Sequence, residues 1–97
     1  FLPKLDMLAP EERALYYYAD GESHFQLGHY DQAILLFQSA LALCHDRDKG
    51  DSWFRIGFCY YFLQQPALAQ GCFPVAEYYY ATFRNSPDLR DASRWHT

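Results

Sequence analysis

The chain has 97 residues, of which 51% are hydrophobic and 20% aromatic, and its formal net charge at pH 7 is −4. This length predicts a single domain whose small core needs good packing to be stable. Because the few basic residues are scattered through an acidic chain, a nucleic-acid partner is not expected, and the apolar runs are far shorter than the ~20 residues of a membrane-inserted helix.

Two helices are predicted in the first half of the chain. Residues 1–9 are expected to form an irregular lead-in, after which Pro10 suits the first position of a helix that runs to about Leu27. Gly28 can adopt the left-handed backbone conformation that ends a helix. Apolar residues then recur at spacings of three and four, which predicts a second helix over residues 30–44.

A third and a fourth helix are predicted after a charged stretch. Residues 45–50 break the apolar pattern and are expected to form a loop. Asp51 is the expected N-cap of a third helix that reaches about Leu63. Pro66 is the expected first residue of a fourth helix that reaches about Arg84.

Proline gives two further signals towards the end of the chain. Pro74 lies inside the predicted fourth helix, where it removes a backbone hydrogen bond, and this predicts a kink or a break near residues 70–74. The tripeptide Ser-Pro-Asp at residues 86–88 is typical of a helix start. A fifth helix is therefore expected over residues 86–97, either as a cap or as the beginning of a third, truncated unit.

A pattern of small and aromatic residues occurs twice, and the offset is 36 residues for Gly21 and Gly57, and likewise for the two alanines and the phenylalanine of each copy. Its two copies are Tyr17, Gly21, Gly28, Tyr30, Ala33, Phe37 and Ala40, and then Trp53, Ile56, Gly57, Tyr60, Ala69, Phe73 and Ala76. A fixed offset of this size predicts stacked helical hairpins. Gly21 is expected to lie where the first helix meets Ala33 and Ala40 of the second, with the aromatic side chains filling the space around this close approach.

This arrangement resembles the tetratricopeptide repeat over about residues 15–79. The resemblance implies an all-α fold, a short right-handed solenoid of antiparallel helical hairpins with about five helices in all. Within this single domain of residues 1–97, repeat one is expected in residues 10–45 and repeat two in residues 51–84.

The resemblance also implies a binding surface, because the first helix of each hairpin in such repeats lines the concave side. The implied partner-binding residues are Leu15, Tyr18, Glu22, Phe25, Gln26, Phe54, Phe58, Tyr61 and Phe62. Family members that hold a C-terminal carboxylate use Lys and Asn at positions where this chain has acidic and aromatic residues. A groove that makes apolar contacts with a helix or an extended segment is therefore expected, with Tyr18, Phe58 and Phe62 as its preferred anchors.

Two features of these helices leave alternatives open. The aromatic residues of the third helix form either an exposed interface or a core that is covered by the fifth helix or by residues 1–9. Asp20 and His24 stand four residues apart, and form either a pH-sensitive ion pair or an ordinary pair on a helix surface.

The three cysteines, Cys44, Cys59 and Cys72, are odd in number and lack a Cys-x-x-Cys spacing. A disulfide framework is not expected, and a reducing compartment, the cytoplasm, is predicted. With His45 they are formal candidates for metal ligands, but the hairpins place Cys44 and Cys59 in different parts of their helices. Buried free thiols are the preferred interpretation, and neither a metal nor another cofactor is expected.

The function expected from these observations is protein binding, by a module that holds a peptide or a helical segment of a partner. One alternative is a structural module that forms homo-oligomers through exposed stack ends. The other is a small chaperone of a bacterial secretion system, which this chain resembles in size and repeat type. Enzymatic activity is not expected, since the sequence lacks a Gly-rich phosphate loop, a nucleophile–base pair and a metal-ligand spacing.

Overall fold

Four α-helices form the part of the chain that the computed structural model describes, residues 7–83. They are α1 (Pro10–Gln26), α2 (Tyr30–Leu43), α3 (Asp46–Phe62) and α4 (Pro66–Phe83). Residues 7–83 contain no β-strand, which confirms the all-α class, and none of their helices combines the length and the apolar character needed to cross a lipid bilayer. The predicted fifth helix and most of the predicted lead-in lie outside the described residues.

The predicted start of the third helix is wrong, because α3 begins at Asp46 and not after Asp51. Asp46 and Asp48 lie in its first turn, where carboxylates stabilise the positive end of the helix dipole. Lys49 adds an ion pair to Asp46 at 2.7 Å. The charged stretch that breaks the apolar pattern is thus a solvated first turn of helix, and the expected loop is absent.

Of the kink or break predicted near residues 70–74, the break is wrong, since α4 is one continuous helix with Pro74 inside it. Pro74 and Gly71 are exposed, while Ala69, Cys72 and Ala76 are buried on the side that packs against α3. Tertiary packing of this face sustains the helix where the local sequence weakens it.

The helices form two antiparallel hairpins, as the order of their contacts shows. Tyr30, the first residue of α2, contacts Phe25 near the end of α1, and Phe37, half-way along α2, contacts Tyr18. In the second hairpin Phe73 of α4 contacts Phe54 and Tyr80 lies near Gly50. Helix α2 also packs against α3, and this contact joins the two hairpins.

The core lies where α2 meets the second hairpin. Its buried cluster consists of Ala33, Ile34, Phe37, Ile56, Cys59 and Cys72. Phe37 is fully buried and its ring lies against Gly21, where a built Cβ atom would be only 2.9 Å from the ring. Gly57 stands in the same relation to Phe73, at 2.7 Å. Gly21 and Gly57 of the repeat pattern thus each make room for an aromatic ring of the second helix of their hairpin.

Candidate functional site

An aromatic stripe runs along α3 and consists of Phe54, Phe58 and Phe62. Their spacing of four residues places them on one side of the helix. The ring centroids of Phe54 and Phe58 are 4.7 Å apart, and those of Phe58 and Phe62 are 6.4 Å apart. The three rings therefore form one continuous apolar surface.

The middle of this stripe is fixed from below by α4. The Phe73 ring lies 5.7 Å from the Phe54 ring and 5.5 Å from the Phe58 ring, edge to face in both cases. Phe58 is half-buried as a result. Its position is set by packing within the second hairpin, so Phe58 contributes to the floor of the surface more than to its exposed rim.

The end of the stripe joins the first hairpin. Phe62 stacks on Tyr30 of α2 at 5.2 Å and meets Phe25 of α1 at 5.9 Å. Tyr61 adds a further ring at 5.5 Å from Phe62. Aromatic residues from three helices thus form a joint between the hairpins that holds the exposed rings in place.

Part of this aromatic surface is exposed and part is half-buried against α4, whereas the predicted covering by the fifth helix or residues 1–9 falls mostly outside the described residues. Among the described residues, Phe54 is 39% exposed, Tyr61 60% and Phe62 48%. Phe25 and Phe58 are half-buried. The exposed rings form an apolar patch of the kind that marks interaction sites.

Arg55 connects α3 to α1, because its side chain contacts several of the predicted site residues. Its Nε atom lies 2.7 Å from Oε1 of Glu22, without the alignment of a hydrogen bond, and its guanidinium lies over the Phe25 ring at 5.4 Å. Tyr18 packs against Phe37, and this burial raises the pKa of its hydroxyl, against a smaller opposing effect of Arg55. Tyr18, Glu22 and Phe25 are therefore half-buried parts of the α1–α3 contact.

A cleft opens between α1 and the first turns of α3, beyond Tyr18. Its volume is about 390 Å³. The residues that line it are Glu11, Ala14, Leu15, Tyr18, Ala40, Cys44, His45, Arg47, Asp48, Asp51 and Ser52. Leu15 stands at this cleft with 68% of its surface exposed. Gln26 is exposed as well, at the opposite end of α1.

Leu15 and Tyr18 are the predicted site residues that line this cleft, and its other lining residues were missed. A signal for one of them is present in the sequence, because the repeat offset of 36 residues carries Leu15 to Asp51. The residue pattern instead favours Asp51 as a helix cap and residues 45–50 as a loop. Because the predicted start of α3 is too late, the wall of the cleft that its first turns form is not predicted.

The ion pair between Asp20 and His24, one of the alternatives left open by the sequence, is not formed. Nδ1 of His24 lies 3.3 Å from Nδ1 of His29, across the turn between α1 and α2. The ion pairs found within residues 7–83 join Lys49 to Asp46 and Arg55 to Glu22, so Asp20 takes part in neither. The pair was one of two alternatives, and the structure favours an ordinary exposed position for Asp20.

The three cysteines are free thiols in the described part of the chain. Cys59 is fully buried, and this burial raises its pKa to about 11. Burial also raises the pKa of Cys44 and of Cys72. Residues 7–83 hold no group of three or more His, Cys, Asp or Glu side chains placed to bind a metal ion. Cys59 and Cys72 belong to the buried core cluster.

Comparisons of the chain with known proteins were made at three levels. Models of protein families, curated proteins and solved structures all give no match. The resemblance to the tetratricopeptide repeat therefore rests on the residues quoted for it, and the chain is characterised by its own geometry: two antiparallel helical hairpins that present an aromatic stripe and an adjoining cleft.

Proposed function

We propose that this chain is a protein-interaction module which holds a peptide or a helical segment of a partner protein on the side formed by α1 and α3. The observation that carries the proposal is the exposed apolar surface of Leu15, Phe54, Tyr61 and Phe62, next to a cleft of about 390 Å³. Exposed apolar surface that adjoins a cleft is typical of sites where another protein binds.

The rigidity of this surface supports binding as well. The exposed rings of Phe54 and Phe62 are each held by neighbouring rings, Phe73 beneath the first and Tyr30 beside the second. A surface whose side chains are already ordered loses less conformational entropy when a partner binds. The arrangement therefore favours recognition of apolar side chains on the partner.

We further propose that the two hairpins form a short right-handed solenoid of the tetratricopeptide type. The repetition of structure at the sequence offset supports this proposal: α1 and α3 have 17 residues each, and Gly21 and Gly57 accommodate Phe37 and Phe73 in the same way. A chaperone for a secreted partner would be one special case of such a module, and the free thiols support a location in the cytoplasm.

The test uses a displayed library of random 16-residue peptides, selected on the immobilised 97-residue chain. We expect the selected peptides to bind the Leu15→Ser and Tyr61→Ser variants at least ~10-fold more weakly, because both changes remove exposed apolar contact area. Leu35→Ser is the matched control, since Leu35 is 64% exposed on α2, away from this surface. Failure to select peptides, or equal binding to all three variants, would contradict the proposal.

Self-association is the second candidate, because other exposed apolar residues lie on α2 and α4. Leu35, Leu68 and Tyr78 are 64%, 50% and 62% exposed within the described residues. Sedimentation velocity over a 100-fold concentration range tests this candidate. A mass that rises with concentration, and that returns to the monomer value in Leu68→Ser, supports it, whereas a monomer throughout the range contradicts it.

A further inference from the structure

We propose that the cleft between α1 and α3 takes a positively charged segment of the partner, one in which Lys or Arg residues flank a large apolar side chain. This inference rests on the proposed function and adds the chemical class of the ligand.

The cleft has an apolar floor. Ala14 and Ala40 are 3% and 1% exposed, and Ser52, at 2%, adds a buried hydroxyl to the wall. Leu15 and the half-buried Tyr18 form the side contributed by α1. The space between these side chains suits one large apolar residue of a ligand.

The rim of the cleft is acidic. Glu11 of α1 and Asp48 and Asp51 of α3 are exposed and line it, against the guanidinium of Arg47 and the imidazole of His45. The ion pairs found within residues 7–83 involve none of these carboxylates. Asp51 accepts a hydrogen bond of 2.6 Å from the Tyr80 hydroxyl and is also near enough to Arg55 to interact with its charge, so Glu11 and Asp48 are the rim carboxylates that remain for a ligand.

Helix stabilisation alone does not explain this distribution. Glu11 and Asp48 lie in the first turns of α1 and α3, where a carboxylate favours the helix. Asp51 lies in the next turn of α3, where this effect has faded, and still contributes to the same rim. All three carboxylates line the cleft, whereas only Glu11 and Asp48 lie where a carboxylate stabilises a helix end.

The charge of the rim selects among possible ligands. An acidic segment would be repelled, and a purely apolar one would cover carboxylates without giving them a partner, which costs free energy. A segment with Lys or Arg beside its apolar residue makes apolar contacts with the floor and ion pairs with the carboxylates of the rim. Its association would be accelerated by electrostatic attraction and weakened by salt.

The experiment uses the full 97-residue chain and three fluorescein-labelled peptides of 12 residues. The peptides share the same Leu positions and carry Lys, Gln or Glu at all others. We expect fluorescence anisotropy to show the tightest binding for the Lys peptide, at least ~10-fold tighter than for the Glu peptide, and to show weaker binding at 300 mM than at 50 mM NaCl. Equal affinities of the Lys and Gln peptides would overturn the inference.

Variants that lack carboxylates show whether the affinity for the Lys peptide depends on the rim of the cleft. The double variant Glu11→Gln and Asp48→Asn is expected to bind the Lys peptide about 5- to 10-fold more weakly than the unsubstituted chain. The matched control combines Asp31→Asn, which removes a first-turn carboxylate from α2, with Glu77→Gln on α4, and both sites are exposed and outside the cleft. Equal weakening by the two double variants would show a general charge effect and overturn the inference.

Leu15→Ser separates this inference from the proposed function. If Leu15→Ser abolishes peptide binding and the Glu11–Asp48 double variant leaves it unchanged, the apolar surface stands and the basic ligand is refuted. If Leu15→Ser binds the peptides as the unsubstituted chain does, the proposed function fails and the inference fails with it.

Discussion

Gln64 adopts the same left-handed backbone conformation as Gly28, which lies 36 residues before it. Their φ angles are 62° and 82°. Each follows the C-terminal end of the first helix of a hairpin, and the closing hydrogen bonds are equivalent: His29 donates to the His24 carbonyl, and Gln65 donates to the Tyr60 carbonyl, at 2.8 and 2.9 Å. The two units thus turn in the same way, although only one has the residue that the turn favours.

Gln64→Gly is expected to stabilise the chain by about 1 kcal/mol, since it relieves the cost of a left-handed conformation at a residue with a Cβ atom. Gly28→Ala should destabilise it by a similar amount, although nothing lies within 4 Å of the added methyl group. Urea unfolding followed by circular dichroism measures both. A loss of stability in Gln64→Gly would contradict the backbone conformation described for this turn.

Gly21→Ala should destabilise the chain by about 1–2 kcal/mol, because the new methyl group would meet the Phe37 ring at 2.9 Å. Gly57→Ala makes a closer contact with Phe73, at 2.7 Å, but should cost less. The reason is that Phe37 is fully buried and cannot move, whereas Phe73 is only half-buried. Thermal unfolding gives the order of the two variants.

Gly71→Ala is the control for these glycine substitutions. Gly71 lies inside α4 with open space around it, so that the gain in helix propensity is not opposed by a clash. This variant should be more stable by up to about 1 kcal/mol. If Gly21→Ala and Gly71→Ala change stability in the same direction, the packing of Phe37 on Gly21 is not as described.

Stability is expected to fall with rising pH between about 9 and 11 because of Cys59. The folded chain keeps this buried thiol protonated up to its pKa of about 11, whereas the unfolded chain releases the proton near the ordinary value of 9.0. The unfolded state therefore binds fewer protons in this window, and the loss of stability approaches about 2–3 kcal/mol. Below the window Cys59 contributes no pH dependence.

Cys59→Ala provides the comparison for this prediction. Urea unfolding at pH 8, 9, 10 and 11 should show a smaller decrease for the variant than for the unsubstituted chain, even if the variant is less stable at every pH. The contributions of other titrating groups cancel in this difference. Parallel curves would show that Cys59 is not buried in the folded state.

The contact between Arg55 and Glu22 should have a coupling energy of about 0.5 kcal/mol in a double-mutant cycle with Glu22→Gln and Arg55→Met. Both side chains are about a third exposed, at 33% and 29%, so that water screens the charges. Arg55→Met alone should cost more than Glu22→Gln alone, because it also removes the contact with the Phe25 ring.

Salt provides the check on that cycle. The coupling between the two charges should decrease in 1 M NaCl, whereas the cost of losing the contact with Phe25 should change less. Urea unfolding of the four chains gives both quantities. A coupling that is zero at low salt would mean that the link between α1 and α3 is formed by apolar packing alone.

The regular parts of this fold could be predicted because their signals are local. The repeated small and aromatic residues predict two similar hairpins, and Pro10, Gly28 and Pro66 mark helix boundaries through their own backbone preferences. The aromatic stripe could be predicted in the same way, since the spacing of Phe54, Phe58 and Phe62 places them on one side of a helix, whereas most residues that line the cleft were not predicted.

What the sequence determined by itself is therefore the helical periodicity, the repeat offset and most helix ends, all of which depend on neighbours a few residues away. The tertiary structure shows that Gly50 is buried against Tyr80 and Ala76 of α4, a contact that adds to the local charges which stabilise the first turn of α3. Only the tertiary structure decided that α4 continues through Pro74, and that Phe58 is half-buried while Phe62 is exposed. These outcomes depend on packing between distant segments, whose free energy exceeds the local preferences for loop or break.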